Sequence, residues 1–187
     1  MKVYSLLILN KAGGLIYQND TNPELNRLGA IDYLVLSGKL HGAHAIASNL
    51  SQLMNIKNSQ QTGRLELNAA LISLGRSQNL NTNRTGLQSL ETDFFNLYVF
   101  QSLTGIKFII VTSPNNVVHA VQGGRDIEEL LKTHNKGELE KQFDQASELY
   151  KKIYMAYSDY VMKNPFYSLD MPIKNELFDQ SVVEILG

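Results

Sequence analysis

Glu91–Val111, ETDFFNLYVFQSLTGIKFIIV, is apolar at positions where a half-wet strand would alternate with polar residues. Turn chemistry at Thr92-Asp93 and Leu103-Thr104-Gly105 divides the region into strands at Leu87–Leu90, Phe94–Gln101 and Lys107–Thr112. Along the middle strand Phe94, Tyr98 and Phe100 share one side, and Phe95, Leu97 and Val99 share the other. An antiparallel sheet with one solvated face would interleave polar residues, so both faces of this sheet need cover.

Upstream, Val3–Leu9 is rich in strand formers, Asn10–Gly14 supplies a turn, and Leu15–Gln18 returns as the second arm of a hairpin. The period then changes. Ile31, Leu34, Val35, Gly38, Gly42, Ala45, Ile46, Leu50 and Leu53 fall on one face of a helix over about 31–53. Gly38 and Gly42 weaken a helix, so a close approach of this face to the sheet is the expected compensation. Asn22-Pro23-Glu24 reads as the cap and first turn of a short preceding helix. Downstream, Phe143, Ala146, Tyr150, Ile153, Tyr157 and Tyr160 recur at spacings of three and four, which predicts a long amphipathic helix over the second face.

Two stretches fit neither layer. Residues 55–85 are enriched in Asn, Gln, Ser and Thr and read as a surface insertion, with order expected only at Leu65–Leu74. Residues 113–141 open on Pro114-Asn115-Asn116 and read as a second excursion, with a helix at Arg125–Lys132. The order of elements predicts an α+β fold: a five-stranded, mostly antiparallel sheet with helices on both faces, in one domain over 1–187.

The long helix should stop at Asn164-Pro165, because proline lacks an N–H and disfavours helical geometry in the residue before it. Apolar residues nevertheless continue through Phe166, Tyr167, Leu169, Met171, Pro172, Ile173, Leu177 and Phe178, before a short helix at Asn175–Leu186. So many apolar groups on irregular backbone imply docking against the body or against a partner. Lys163, Asn164, Pro165, Phe166, Tyr167, Met171 and Pro172 are therefore the candidate partner-binding residues. An internal strap, a subunit contact and a contact to a regulated protein would all use such a tract.

Composition removes several function classes. With 17 basic and 18 acidic residues scattered along the chain, there is no basic stripe for nucleic acid or anionic membrane. The absence of cysteine excludes disulfides, thiolate chemistry and S-acylation. The amino terminus MKVYSLLILNKAGG lacks a signal-peptide cleavage site, and the longest apolar runs fall far short of the roughly 18 residues a membrane helix needs. The N-x-S/T triplets at Asn19, Asn49 and Asn83 are then read as chance.

No residue set assembles a reaction centre, metal site or cofactor site. His41 and His44 have i, i+3 spacing, but no nearby carboxylate or third histidine completes a metal site, so one is expected exposed and one at the top of the packing stripe. Gly13-Gly14 is a hairpin turn, since no Lys-Ser or Lys-Thr follows at phosphate-loop spacing. Ser158-Asp159 and Asp170 have no histidine close in sequence and read as a solvated helix end.

Three blocks carry a family resemblance: NKAGGLIYQ at 10–18, ETDFFNLYVFQSLTGIKFIIV at 91–111, and KKIYMAYSDYVMKNPFYSLDMPIKNELFDQ at 151–180. LSGKLHGAHAIASNLS at 36–51 adds to them. The chain resembles the synbindin family, subunit 4 of the TRAPP complex, in its short fungal-type form. The resemblance implies a longin-like (profilin-like) fold, and residues 55–85 are too short and too polar to be the PDZ-like insertion of animal members.

It also implies a non-catalytic subunit, without cofactor, of a guanine-nucleotide exchange factor for a Rab GTPase, acting in vesicle tethering between endoplasmic reticulum and Golgi and in autophagy. The implied partners are a paired longin-fold subunit, a neighbouring small TRAPP-fold subunit and the Rab GTPase. The implied location is cytoplasmic, peripheral at cis-Golgi and endoplasmic reticulum membranes through the complex. A longin-domain trafficking adaptor or SNARE regulator without exchange activity is the alternative. A longin SNARE itself would need a heptad-patterned segment and an anchor after the domain, which the sequence does not carry.

Overall fold

Seven residues of strand formers open the chain as β1 (Val3–Leu9), and β2 (Leu15–Asp20) folds back on it. Asn10 fixes the turn: its Oδ1 accepts the Gly14 N–H at 2.7 Å, and its backbone N–H donates to the Gly14 carbonyl at 2.8 Å. Gly13 takes a positive φ of 91°, and a Cβ there would come within 2.5 Å of His41 Cγ. Glycine is thus required for both backbone and space.

The computed structural model describes residues 1–21, 28–62, 82–83, 86–92, 94–114 and 127–187. After the hairpin come α1 (Ala30–Thr62), β3 (Thr82–Asn83), β4 (Ser89–Glu91), β5 (Asn96–Ser102) and β6 (Lys107–Thr112). They are followed by α2 (Ile127–Ala156), a π-helical turn (Tyr157–Met162) and α3 (Glu176–Leu186). The expected helix at 22–24 and the ordered stretch at 65–74 lie outside the described residues.

The sheet runs β2-β1-β6-β5, and every pairing among the described strands is antiparallel. Its fifth position is shared by two short strands on the outer edge of β5, with β4 opposite Asn96–Tyr98 and β3 opposite Gln101–Ser102. The expected five-position antiparallel sheet is therefore present.

Strand alternation divides the core into two layers, as the apolar run in β5 requires. On one face Leu6, Ile8, Tyr98, Phe100 and Phe108 pack under Ala146, Tyr150, Ile153 and Tyr157 of the second long helix and its π turn, and under Phe178 and Val182 of α3. Tyr150 stacks on Phe100 at 4.9 Å, and Phe108 meets Tyr157 edge to face at 5.5 Å. Each large side chain buried in this way contributes about 1.5–3 kcal/mol, and aromatic geometry adds about 0.5–1.5 kcal/mol per pair. On the other face Leu7, Leu9, Leu97, Val99 and Ile109 pack under Tyr33, Leu36 and Leu40 of α1.

Four expectations need correction. First, the face of α1 that meets the sheet is Tyr33, Leu36, Ser37, Leu40 and His44, whereas Ile31, Leu34, Val35, Ala45, Ile46 and Leu50 are exposed. A Cβ at Gly38 or Gly42 would meet nothing within 4 Å, so these glycines do not mark close approach to the sheet. Second, α1 continues to Thr62, into the stretch read as insertion. Third, the helix expected at 125–132 and the amphipathic helix are one element, α2, because no proline separates them. Fourth, Phe94 lies before β5 and is 83% exposed, and Tyr160 at the end of the predicted stripe is 38% exposed and not part of the buried core.

Candidate partner-binding surfaces

The carboxy-terminal tract is a fixed strap. α2 passes into the π turn, where the Lys163 N–H donates to the Ser158 carbonyl five residues back at 3.2 Å. Tyr157 and Val161 are buried there. Helical structure ends before Pro165: Asn164 Oδ1 accepts the Phe166 N–H at 3.0 Å, and the Asn164 carbonyl accepts the Tyr167 N–H at 3.1 Å. Such a side-chain turn is what Asn before Pro favours.

The strap is tied down at intervals. Tyr167 is half-buried, and its hydroxyl donates to the Met171 carbonyl at 3.1 Å. A four-residue turn follows, with the Met171 N–H on the Ser168 carbonyl and Asp170 at a φ of 76°, a left-handed geometry that Asp tolerates better than most residues. The Ile173 N–H then donates to the Ile16 carbonyl at 2.8 Å, extending the open edge of β2. Asn175 closes the strap, because its Oδ1 caps α3 through the Leu177 and Phe178 N–H groups while its Nδ2 donates to the Tyr160 carbonyl. Phe178 anchors α3 against the Tyr17 ring at 4.9 Å.

Between strap and π turn lies a concavity of about 360 Å³, to which Asn164, Phe166, Tyr167, Met171 and Pro172 contribute. Lys163 and Pro165 do not line it. Lys163 instead pairs with Asp159 one turn back, an exposed pair worth little. Phe166 is 95% exposed, and Leu169 and Met171 are also exposed. Burial pushes the Tyr157 and Tyr167 hydroxyl pKa values up, with Asp170 adding to both, so these tyrosines stay neutral in ordinary buffers.

A second surface was missed from sequence. Ile31, Leu34, Val35, Ala45, Ile46 and Leu50 form an aliphatic stripe on α1 diametrically opposite its docked face, with Gly38 and Gly42 at its centre. Ile31 is 76% exposed and Ile46 is 64% exposed, and a contiguous exposed aliphatic stripe, unlike singly scattered residues, marks an interaction surface. The available signal was the doubling. Tyr33, Leu36, Leu40 and His44 form another stripe of helical period, and a helix apolar on two opposite faces needs two covers.

His44 is buried between the Leu87 carbonyl (3.1 Å from Nδ1) and Gln101 Oε1 (2.7 Å from Nε2), so it holds α1 to the sheet. His41 is half-buried beside it. Among the described residues no group of three His, Cys, Asp or Glu side chains is placed to hold a metal ion.

A profile of the Sybindin-like family matches residues 3–132 and 138–187. The trafficking protein particle complex subunit 4 of Dictyostelium discoideum is 33% identical over 187 residues, covering 100% of this chain and 98% of that protein. The protein of the same name from Mus musculus is 32% identical and that from Homo sapiens 31%, each alignment covering 97% of this chain and 92% of the relative. The mouse and human alignments run over 229 positions, more than the 187 residues of this chain, so those relatives carry additional residues inside the matched region. With the family profile spanning nearly the whole chain, and relatives above 30% identity aligned almost end to end, the chain belongs to the Sybindin-like family.

Proposed function

We propose that this chain is a non-catalytic subunit of a trafficking protein particle complex. In that complex it contributes to guanine-nucleotide exchange on a Rab GTPase and to vesicle tethering between endoplasmic reticulum and Golgi, and it serves autophagy through the same assembly. The observation that carries this reading is the aliphatic outer face of α1, opposite a face already docked on the sheet. A permanent partner offsets the cost of that exposure by burying it. The names of the relatives support other subunits of such a complex as the kind of partner; the specific partners proposed are a paired longin-fold subunit and a small TRAPP-fold neighbour.

The strap residues Lys163, Asn164, Pro165, Phe166, Tyr167, Met171 and Pro172 form the second contact, toward a neighbouring subunit or the GTPase. Exchange on such a surface needs no acid, base or nucleophile. A platform that binds the nucleotide-free GTPase more tightly than the loaded one lowers nucleotide affinity by the same factor. No described helix is long and apolar enough to cross a membrane, and on this reading the chain reaches cis-Golgi and endoplasmic reticulum membranes from the cytoplasm, through its complex.

Purification of the tagged chain from its native cells tests the proposal. Recovery of other TRAPP subunits in stoichiometric amounts is the expected outcome. Recovery of coat or SNARE proteins alone would overturn it in favour of a longin-domain adaptor.

A further inference from the structure

Where α1 meets the turns at one end of the sheet, the joint is built from basic groups. His41 lies against Gly13 of the β1–β2 turn, and His44 lies between Leu87 and Gln101, with Gly86 pressed against its ring. Lys107 of β6, opposite Leu9 and Gln101, is only 4% exposed, and among the described residues its Nζ reaches one acceptor, the Gly105 carbonyl, at 3.4 Å. The stem of Lys11 crosses over Gly105 from the neighbouring turn. Lys39 of α1 points to solvent.

No carboxylate among the described residues faces this cluster. Asp20 and Asp32 are engaged at the amino-terminal end of α1, by the Tyr33 hydroxyl and the Gly29 N–H respectively. Glu91 pairs with Asn96, at the far end of β5 from Gln101.

His41 is the sensitive group. Its Nδ1 is buried and has no hydrogen-bond partner among the described residues. An imidazolium carries N–H on both ring nitrogens, so protonation would aim a donor into a space without an acceptor and add a cation beside Lys107.

We propose that the seat of α1 on the sheet is proton-sensitive, with uptake of a proton by His41 loosening the helix from Gly13, Lys107 and the sheet beneath. Burial first, then Lys107 and His44, push the His41 pKa below its ordinary 6.5. For a base shifted down in the folded state, the stabilisation is fully present above the unfolded value and is lost as pH falls through the folded value. Mild acid therefore weakens the joint. Because α1 also carries the outward aliphatic stripe, the same step would disorder the partner face; that consequence rests on the function proposed above, whereas the joint itself does not.

Hydrogen exchange of the full chain at about pH 7.5 and about pH 5.5, on either side of the ordinary imidazole range and corrected for intrinsic rates, reads the joint directly. Segments covering 33–48 are expected to lose protection at the acidic value while β1 and β5 keep theirs, and H41Q and K107M should each reduce that loss. K107M exchanges a buried cation for an unbranched apolar chain and carries the test if H41Q does not fold. Equal acid sensitivity in the variants and the parent, no acid-induced loss in 33–48, or a loss shared equally by β1 and β5 would overturn the proposal. The measurement needs no partner, so a chain that behaves as expected yet recruits no TRAPP subunit would sink only the function proposed above.

Discussion

α1 and α2 are both long helices on opposite faces of one sheet, and both carry a strong aliphatic or aromatic stripe. In α2 that stripe, with Tyr150 and Ile153 at its centre, forms the core; in α1 the aliphatic stripe faces away from the sheet, and a mixed face of Tyr33, Ser37, Leu40 and His44 makes the contact. The difference teaches that helical period finds an apolar face without saying what covers it. In α2 the sheet is the cover. In α1 the sheet is met through hydrogen bonds from Tyr33 and His44, which leaves the greasier face for something else.

Substitution at Tyr150 tests the α2 side and should have the largest effect on stability. Its ring stacks on Phe100 and meets Phe108 edge to face, so Tyr150→Ala should cost about 3–5 kcal/mol, read as a lower denaturation midpoint. The hydroxyl behaves otherwise. It is buried without a hydrogen-bond partner among the described residues, and burial pushes its pKa up. Tyr150→Phe should therefore leave stability unchanged or slightly raised, and a large loss in that variant would reveal a partner for the hydroxyl.

The contrasting change is Ile46→Asp on α1. An exposed position away from the sheet should shift stability by no more than about 0.5 kcal/mol. Loss of co-purifying subunits should be severe, because a carboxylate would be buried at the centre of the contact, costing about 2 kcal/mol or more of binding. Gly42→Leu should act the same way, since a side chain there meets open space in this chain and would clash only with a partner. If both variants fold and still recover every subunit, the outer face of α1 is not the interface.

Much of the fold was legible in sequence because β5 and β6 state their burial directly. A strand apolar on both sides admits one environment, and the aromatic spacing of α2 fits the face it covers. The strap was legible as well, since Asn164-Pro165 stops a helix while Phe166, Met171 and Ile173 continue the apolar content. The side of α1 was not. Its docked face spends polar atoms on specific acceptors, the Asp20 carboxylate for Tyr33 and the Leu87 carbonyl for His44, and those acceptors are distant in sequence. Lys107 was equally opaque, because a lysine at the start of a strand reads as exposed until the turn and helix that cover it are known.

The smallest effect on the fold, and the sharpest test of the strap, is expected from Phe166→Ala. Phe166 is 95% exposed, so its truncation removes almost no contact within the chain and should change stability by less than about 0.5 kcal/mol. Asn164→Ala is its partner variant, for Asn164 Oδ1 accepts the Phe166 N–H and sets the turn that presents the ring. That loss should cost about 0.5–1.5 kcal/mol, the worth of one hydrogen bond, and loosen the loop locally. If the ring itself is the contact, Phe166→Ala should impair subunit recovery or nucleotide release at unchanged stability, and Asn164→Ala should impair it less, in proportion to how often the ring strays. A stability loss in Phe166→Ala larger than in Asn164→Ala, with binding intact, would instead place the strap with α2 as internal packing, leaving α1 as the one face of the comparison that waits for a partner.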